Sequence, residues 1–100
     1  MIYVGYQVTP VPGKLNDVLA VHKQAKEISE ACGAQQIGGF QITLGQDARS
    51  LFYLVAYRDS DAFIAVTKAL EDSAAMKQAD AWIASSSSAV LQPLPGSALQ

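Results

Sequence analysis

Hydrophobic and polar positions alternate from Ile2 to Thr9, with Ile2, Val4, Tyr6 and Val8 on one side and Tyr3, Gly5, Gln7 and Thr9 on the other. An extended chain points successive side chains to opposite faces, so a period of two predicts a first strand here. Pro10-Val11-Pro12-Gly13 ends it, because proline has no N–H to give a ladder. The period then lengthens to that of a helix over Leu15 to Cys32, stopped by Gly33. At about 100° per residue from Val18, the residues Leu15, Val21, Ala25, Ile28 and Cys32 gather in one apolar arc. Asp17, Lys23, Glu27 and Glu30 fall outside it. His22 and Ser29 fall inside, so a polar seam lies on the face that should meet a sheet.

Residues 34–46 read as a second strand, with Gly38-Gly39 marking a bulge or a close backbone approach. Residues 45–48, Gly-Gln-Asp-Ala, supply a turn, and residues 50–58 form a third strand. That strand is apolar on both faces: Leu51, Tyr53, Val55 and Tyr57 on one, Phe52, Leu54 and Ala56 on the other. Asp59 or Ser60 caps the next helix, whose stripe is Phe63, Val66, Thr67 and Leu70. Continuing its phase would bury Lys77 and expose Met76, Ala79 and Ile83. The phase must therefore reset near Glu71-Asp72-Ser73, giving a short helix over residues 74–84. The four serines 85–88 read as a connector into a short last strand around Ala89 to Gln92.

The order strand, helix, strand, strand, broken helix, strand predicts an α+β, ferredoxin-like βαββαβ fold. Its antiparallel sheet would have the first and third strands at the centre and the helices on one face. One domain is expected over residues 1–95, with 96–100 as a C-terminal tail. The doubly apolar third strand needs cover on the helix-free side as well. Two subunits closing face to face as a dimeric α/β barrel would supply it.

Composition supports that expectation: half of the 100 residues are hydrophobic and 16 % are charged, low for a domain that must solvate every face. The seven basic residues are scattered and the net charge is −2, so nucleic acid is not an expected partner. An RNA-recognition domain shares the element order, but Ser50 and Phe52 stand where its aromatic third-strand motif needs glycines. No apolar run reaches the ~20 residues of a membrane span. Cys32 is the one cysteine, which points to a reducing, cytoplasmic setting.

Three segments, YVGYQVTPVPGKLNDVLAVHKQA, GAQQIGGFQITLGQ and RSLFYLVAYRDSDAFIAVTKAL, resemble the dimeric α/β-barrel superfamily, and most of all its NIPSNAP-like members. The likeness lies in the PGK turn into a long helix, the GxxxGxxxTxxG-type strand, and the acidic turn into a broken helix. Family members often carry an arginine early in the helix after the third strand and an aromatic at the start of its second half. This chain has DAFIAVTKAL and Met76 there. The resemblance implies a homodimer with a cavity between sheet and helices, usually for an apolar or aromatic metabolite. Antibiotic-biosynthesis-monooxygenase-like relatives work without a cofactor, and others are lactone isomerases or haem-degrading enzymes. The haem reading wants an asparagine on the first strand, which is absent, and a histidine on the second helix rather than the first.

His22 is the foremost candidate for catalysis, as a general base or hydrogen-bond donor, because imidazole exchanges protons near neutral pH. The competing reading is a neutral core histidine satisfied by a backbone carbonyl or by Ser29. Ser29, Tyr6, Tyr53, Tyr57 and Trp82 are candidates to line a pocket that stacks on a ring and binds its oxygen. The aromatics could equally be packing residues with satisfied polar groups. The alternating pattern leaves open which strand face meets the helices. One histidine and one cysteine, with no completing carboxylate spacing, argue against a metal site, and no cofactor is expected. A cofactor-independent monooxygenase or isomerase, and a structural dimer without a ligand, are the alternatives to a binding protein.

Overall fold

The computed structural model describes residues 1–46 and 48–99; Asp47 of the expected turn and Gln100 of the expected tail lie outside the described residues. In chain order the elements are β1 (Ile2–Pro10), α1 (Leu15–Ala31), β2 (Ala34–Gln41), β3 (Leu51–Tyr57), α2 (Ser60–Asp72), α3 (Ala74–Ala79), a 3-10 turn (Asp80–Trp82) and β4 (Ile83–Leu91). The strands form one sheet in the order β2-β3-β1-β4, with every neighbouring pair antiparallel. This is the ferredoxin-like arrangement, with β1 and β3 central.

Local chemistry sets the ends of the helices. Gly33 takes φ +100° just after α1, a conformation that costs an L side chain about 1–2 kcal/mol. Its N–H reaches back to the Glu30 carbonyl, and its own carbonyl accepts from the Arg58 N–H at 3.3 Å. The Asp59 carboxylate accepts from the Ala62 N–H at 2.8 Å and so caps α2. That bond holds the Asp59 carboxyl below its ordinary range, with Arg58 adding to the effect. Ser73 ends α2 and caps α3, so the helix breaks where the apolar phase requires it. The break brings Ala79 to full burial.

Val4 and Val8 of β1, with Leu51 and Tyr57 of β3, face the helices and form the buried layer. Two clusters result. Val4, Ala34, Tyr57 and Val66 make one, and Val8, Val18 and Leu51 the other. Trp82 and Leu15 pack on the second cluster, Phe63 and Leu70 on the first. Fully burying each such valine or leucine stabilises the fold by ~1.5–3 kcal/mol.

The opposite face carries Phe52 and Leu54, both half-buried, with Phe40 60 % and Leu91 40 % exposed. Gly5 sits between them: a Cβ there would lie 3.1 Å from both the Phe52 ring and Leu91. The missing side chain lets Phe52 lie across β1. The sheet thus shelters part of the outer side of β3 within one chain.

Three expectations need correction. The second strand stops at Gln41 rather than at residue 46; beyond it, the Ile42 N–H still donates to the Ser50 carbonyl at 2.8 Å. The short helix ends at Ala79, and the 3-10 turn follows because the Trp82 carbonyl is held by the Val11 N–H at 2.8 Å. The serines are no connector: Ser85 to Ser88 pair with Thr9, Val8, Gln7 and Tyr6, inside a last strand twice as long as expected. An edge strand needs only its backbone to pair, and its exposed side chains can be polar on both faces. The expected bulge in the second strand is present, as a register shift between Gln36 and Gly38.

Candidate functional site

The two core clusters do not meet everywhere. Between them lies a cavity of about 270 Å³, bounded by the sheet on one side and the helices on the other. Its floor is Tyr6 and Val8 of β1 with Tyr53, Val55 and Tyr57 of β3, residues that share one face through the period of two. From α1, His22, Ala25 and Ser29 look down on them, spaced so that a helix puts them on one stripe. Leu70 and Met76 close the end under α2 and α3, while Gln36, Ile83 and Ser86 line the flanks. Lys26 and Glu30 stand at the rim as a half-exposed pair 3.8 Å apart. Such a pair contributes little to stability.

Polar groups in this apolar space are organised in two pairs. His22 Nδ1 and the Tyr53 hydroxyl share a hydrogen bond of 2.7 Å, and their rings meet edge to face with centroids 4.8 Å apart. The Tyr6 and Tyr57 hydroxyls share one of 2.5 Å. Tyr57 is only 2 % exposed and packs edge-on against Phe63. Burial lowers the His22 pKa and raises that of Tyr53. Burial, and then the bond with Tyr6, raises that of Tyr57 strongly. At neutral pH the site therefore holds a neutral imidazole and protonated phenols at positions 53 and 57.

Five of the six residues singled out from sequence come together here: His22, Ser29, Tyr6, Tyr53 and Tyr57. Trp82 does not; it packs beside Leu51 and Val8, outside the cavity wall. The partner of His22 is Tyr53, not Ser29 or a backbone carbonyl. Gln36 and Ser86 went unnoticed in the sequence. Gln36 precedes the bulge that decides which residues of β2 face inward, and Ser86 lies in a stretch whose composition hides a strand. Among the described residues no group of His, Cys, Asp and Glu is placed to hold a metal ion. Nor is any helix there long and apolar enough to cross a membrane.

A neutral imidazole beside a phenol can take a proton from a ligand or donate a hydrogen bond to it. A second phenol pair adds a further donor. The walls around both pairs are otherwise largely apolar.

The comparison with curated proteins finds no match. Solved structures similar to this one include a NIPSNAP family protein from Agrobacterium tumefaciens, 18 % identical, with a TM-score of 0.81 over 99 % of this chain and 98 % of that one. An uncharacterized NIPSNAP domain protein from Burkholderia xenovorans is 17 % identical, with a TM-score of 0.73 over 94 % and 95 %. A putative antibiotic biosynthesis monooxygenase from Nitrosomonas europaea is 14 % identical, with a TM-score of 0.72 over 94 % and 99 %. At these identities the likeness is one of fold. The NIPSNAP family model matches residues 6–98, from the first cavity tyrosine to beyond the last strand, and the chain belongs to the NIPSNAP family.

Proposed function

We propose that the protein is a small homodimeric barrel that binds an apolar or aromatic metabolite in the cavity between its sheet and helices. The observation that carries this reading is the cavity itself: about 270 Å³ of mostly apolar space into which the His22–Tyr53 pair projects. Its walls are largely apolar and two hydrogen-bonded side-chain pairs face it, the combination typical of small-molecule sites. The exposed Phe40 and Leu91 beside Phe52 support self-association through the helix-free face. The lone thiol of Cys32 fits a reducing, cytoplasmic compartment.

A second reading, a cofactor-independent isomerase or monooxygenase, is favoured by the neutral His22, which can move a proton at physiological pH. The Nitrosomonas europaea protein of similar fold is described as a putative monooxygenase.

Calorimetric titration with tetralin, a two-ring hydrocarbon, tests the binding reading. Saturable binding, one molecule per chain, is expected in the wild-type protein. Ala25→Phe fills the space under α1 and should abolish it while circular dichroism stays native. Failure of the wild type to bind, or unchanged binding by Ala25→Phe, would leave a structural dimer without a ligand as the better reading. A His22→Ala variant that is stable but impaired with oxygen-bearing ligands would favour chemistry over core packing.

A further inference from the structure

We infer that Tyr6 and Tyr57 form the oxygen-recognition station of the cavity, and that its ligands are apolar or aromatic ketones whose carbonyl accepts from the Tyr6 hydroxyl. The inference deepens the binding reading above and rests on it. A count of donors carries it. Two phenols bring two O–H groups, and the 2.5 Å bond between them uses one. The other must serve something else. Tyr57 is almost wholly buried, while Tyr6 is half-buried on the cavity floor. Tyr57 therefore donates to Tyr6, and the Tyr6 O–H is left for a guest. A phenol that accepts such a bond becomes a better donor, because linked hydrogen bonds polarise one another in a low-dielectric site. Tyr6 touches the ligand; Tyr57 is a positioning residue acting through it.

The second pair completes the assignment. Tyr6 lies directly opposite Tyr53 in the β1–β3 register, and cross-strand partners stand about 5 Å apart at Cβ. Tyr53 in turn holds Nδ1 of His22. A carbonyl oxygen on Tyr6 thus brings its neighbouring carbon toward the imidazole. With the proton on Nδ1 and donated to Tyr53, the other ring nitrogen is free to accept. The step is then simple. The proton on the carbon beside the carbonyl moves to His22, and the C–H pair becomes a carbon–carbon double bond. The carbonyl π pair moves onto oxygen, where the Tyr6 hydrogen bond strengthens as charge develops. Return of the proton from imidazolium restores a neutral product. No oxidant, reductant or metal takes part.

The test compares 2-tetralone with tetralin, which has the same rings and no oxygen. The wild-type protein should bind the ketone in preference to the hydrocarbon. Tyr6→Phe and Tyr57→Phe should each cut that preference by roughly tenfold, the loss expected for one buried hydrogen bond. A merely structural role for Tyr57 would weaken both ligands alike and leave the ratio intact. Exchange of the ketone's α-hydrogens in deuterium oxide, followed by NMR, should be faster with the wild type than with His22→Ala or Tyr6→Phe. If tetralin binds but the ketone is not preferred, or the preference survives both tyrosine variants, the oxygen station is overturned and the cavity reading stands. Exchange no faster than in buffer overturns the proton transfer. If neither probe binds the wild type, the cavity reading fails and takes this inference with it.

Discussion

His22 sits among groups of differing demand: Tyr53 bonded to its ring, Tyr6 and Tyr57 on the floor, and Lys26 and Glu30 at the rim. Its pKa lies below the ordinary 6.5 because burial disfavours the charged form. The sign for stability follows. In acid the unfolded chain gains the proton first, so the folded state loses stability as pH falls below about 6.5 and further until the folded pKa is passed. Urea midpoints measured between about pH 7.5 and 5 should fall across that window, and His22→Gln should flatten the fall. Deeper in the second cluster, Leu51 is 2 % exposed, so Leu51→Ala should cost about 3 kcal/mol in urea unfolding, whether or not a ligand binds. The helical wheel showed that His22 turns inward; it could not show to what. Its partner lies 31 positions away on another element, and only folding brings the two together.

Among the elements, those with strong signals were legible nearly to the residue. α1 begins at Leu15 and gives way at Gly33 because a clean apolar arc ends at a residue free to adopt positive φ. Gly33→Ala should therefore destabilise the protein by about 1–2 kcal/mol in denaturant unfolding, since a Cβ would be strained there and would press on Ala62 at 3.3 Å. Asp59→Ala should lower the melting temperature by removing the α2 cap, and the loss should shrink in acid, where the native carboxylate is protonated anyway. β4 was the failure. Serine has little preference for strands, and nothing in a run of four reports that β1 has an open edge beside it. That edge is a property of the sheet, not of the segment.

At the scale of the whole molecule, the outer side of β3 is sheltered in part by its own neighbours, through the Gly5 gap that Phe52 occupies. What remains open is Phe40, 60 % exposed, with Leu91 and the edge of Phe52. If a second copy covers this face, Phe40→Asp should halve the mass seen by analytical ultracentrifugation at micromolar concentration. Ile64→Asp, on the exposed side of α2, should leave it unchanged. A wild-type protein that sediments as a monomer would rule the barrel out.

The sequence by itself determined the element order, the apolar face of α1, the alternation that puts Tyr53 and Tyr57 on one side of the third strand, and the inward turn of His22; which side of the sheet meets the helices it left open. Those follow from repeat period and from the few residues able to start or stop a helix, which act locally. Tertiary structure alone decided that the core divides into two clusters with a cavity between them, that Tyr53 holds His22, and that Tyr57 holds Tyr6. Those facts depend on the separation and register of elements far apart in the chain, and local periodicity carries no information about either.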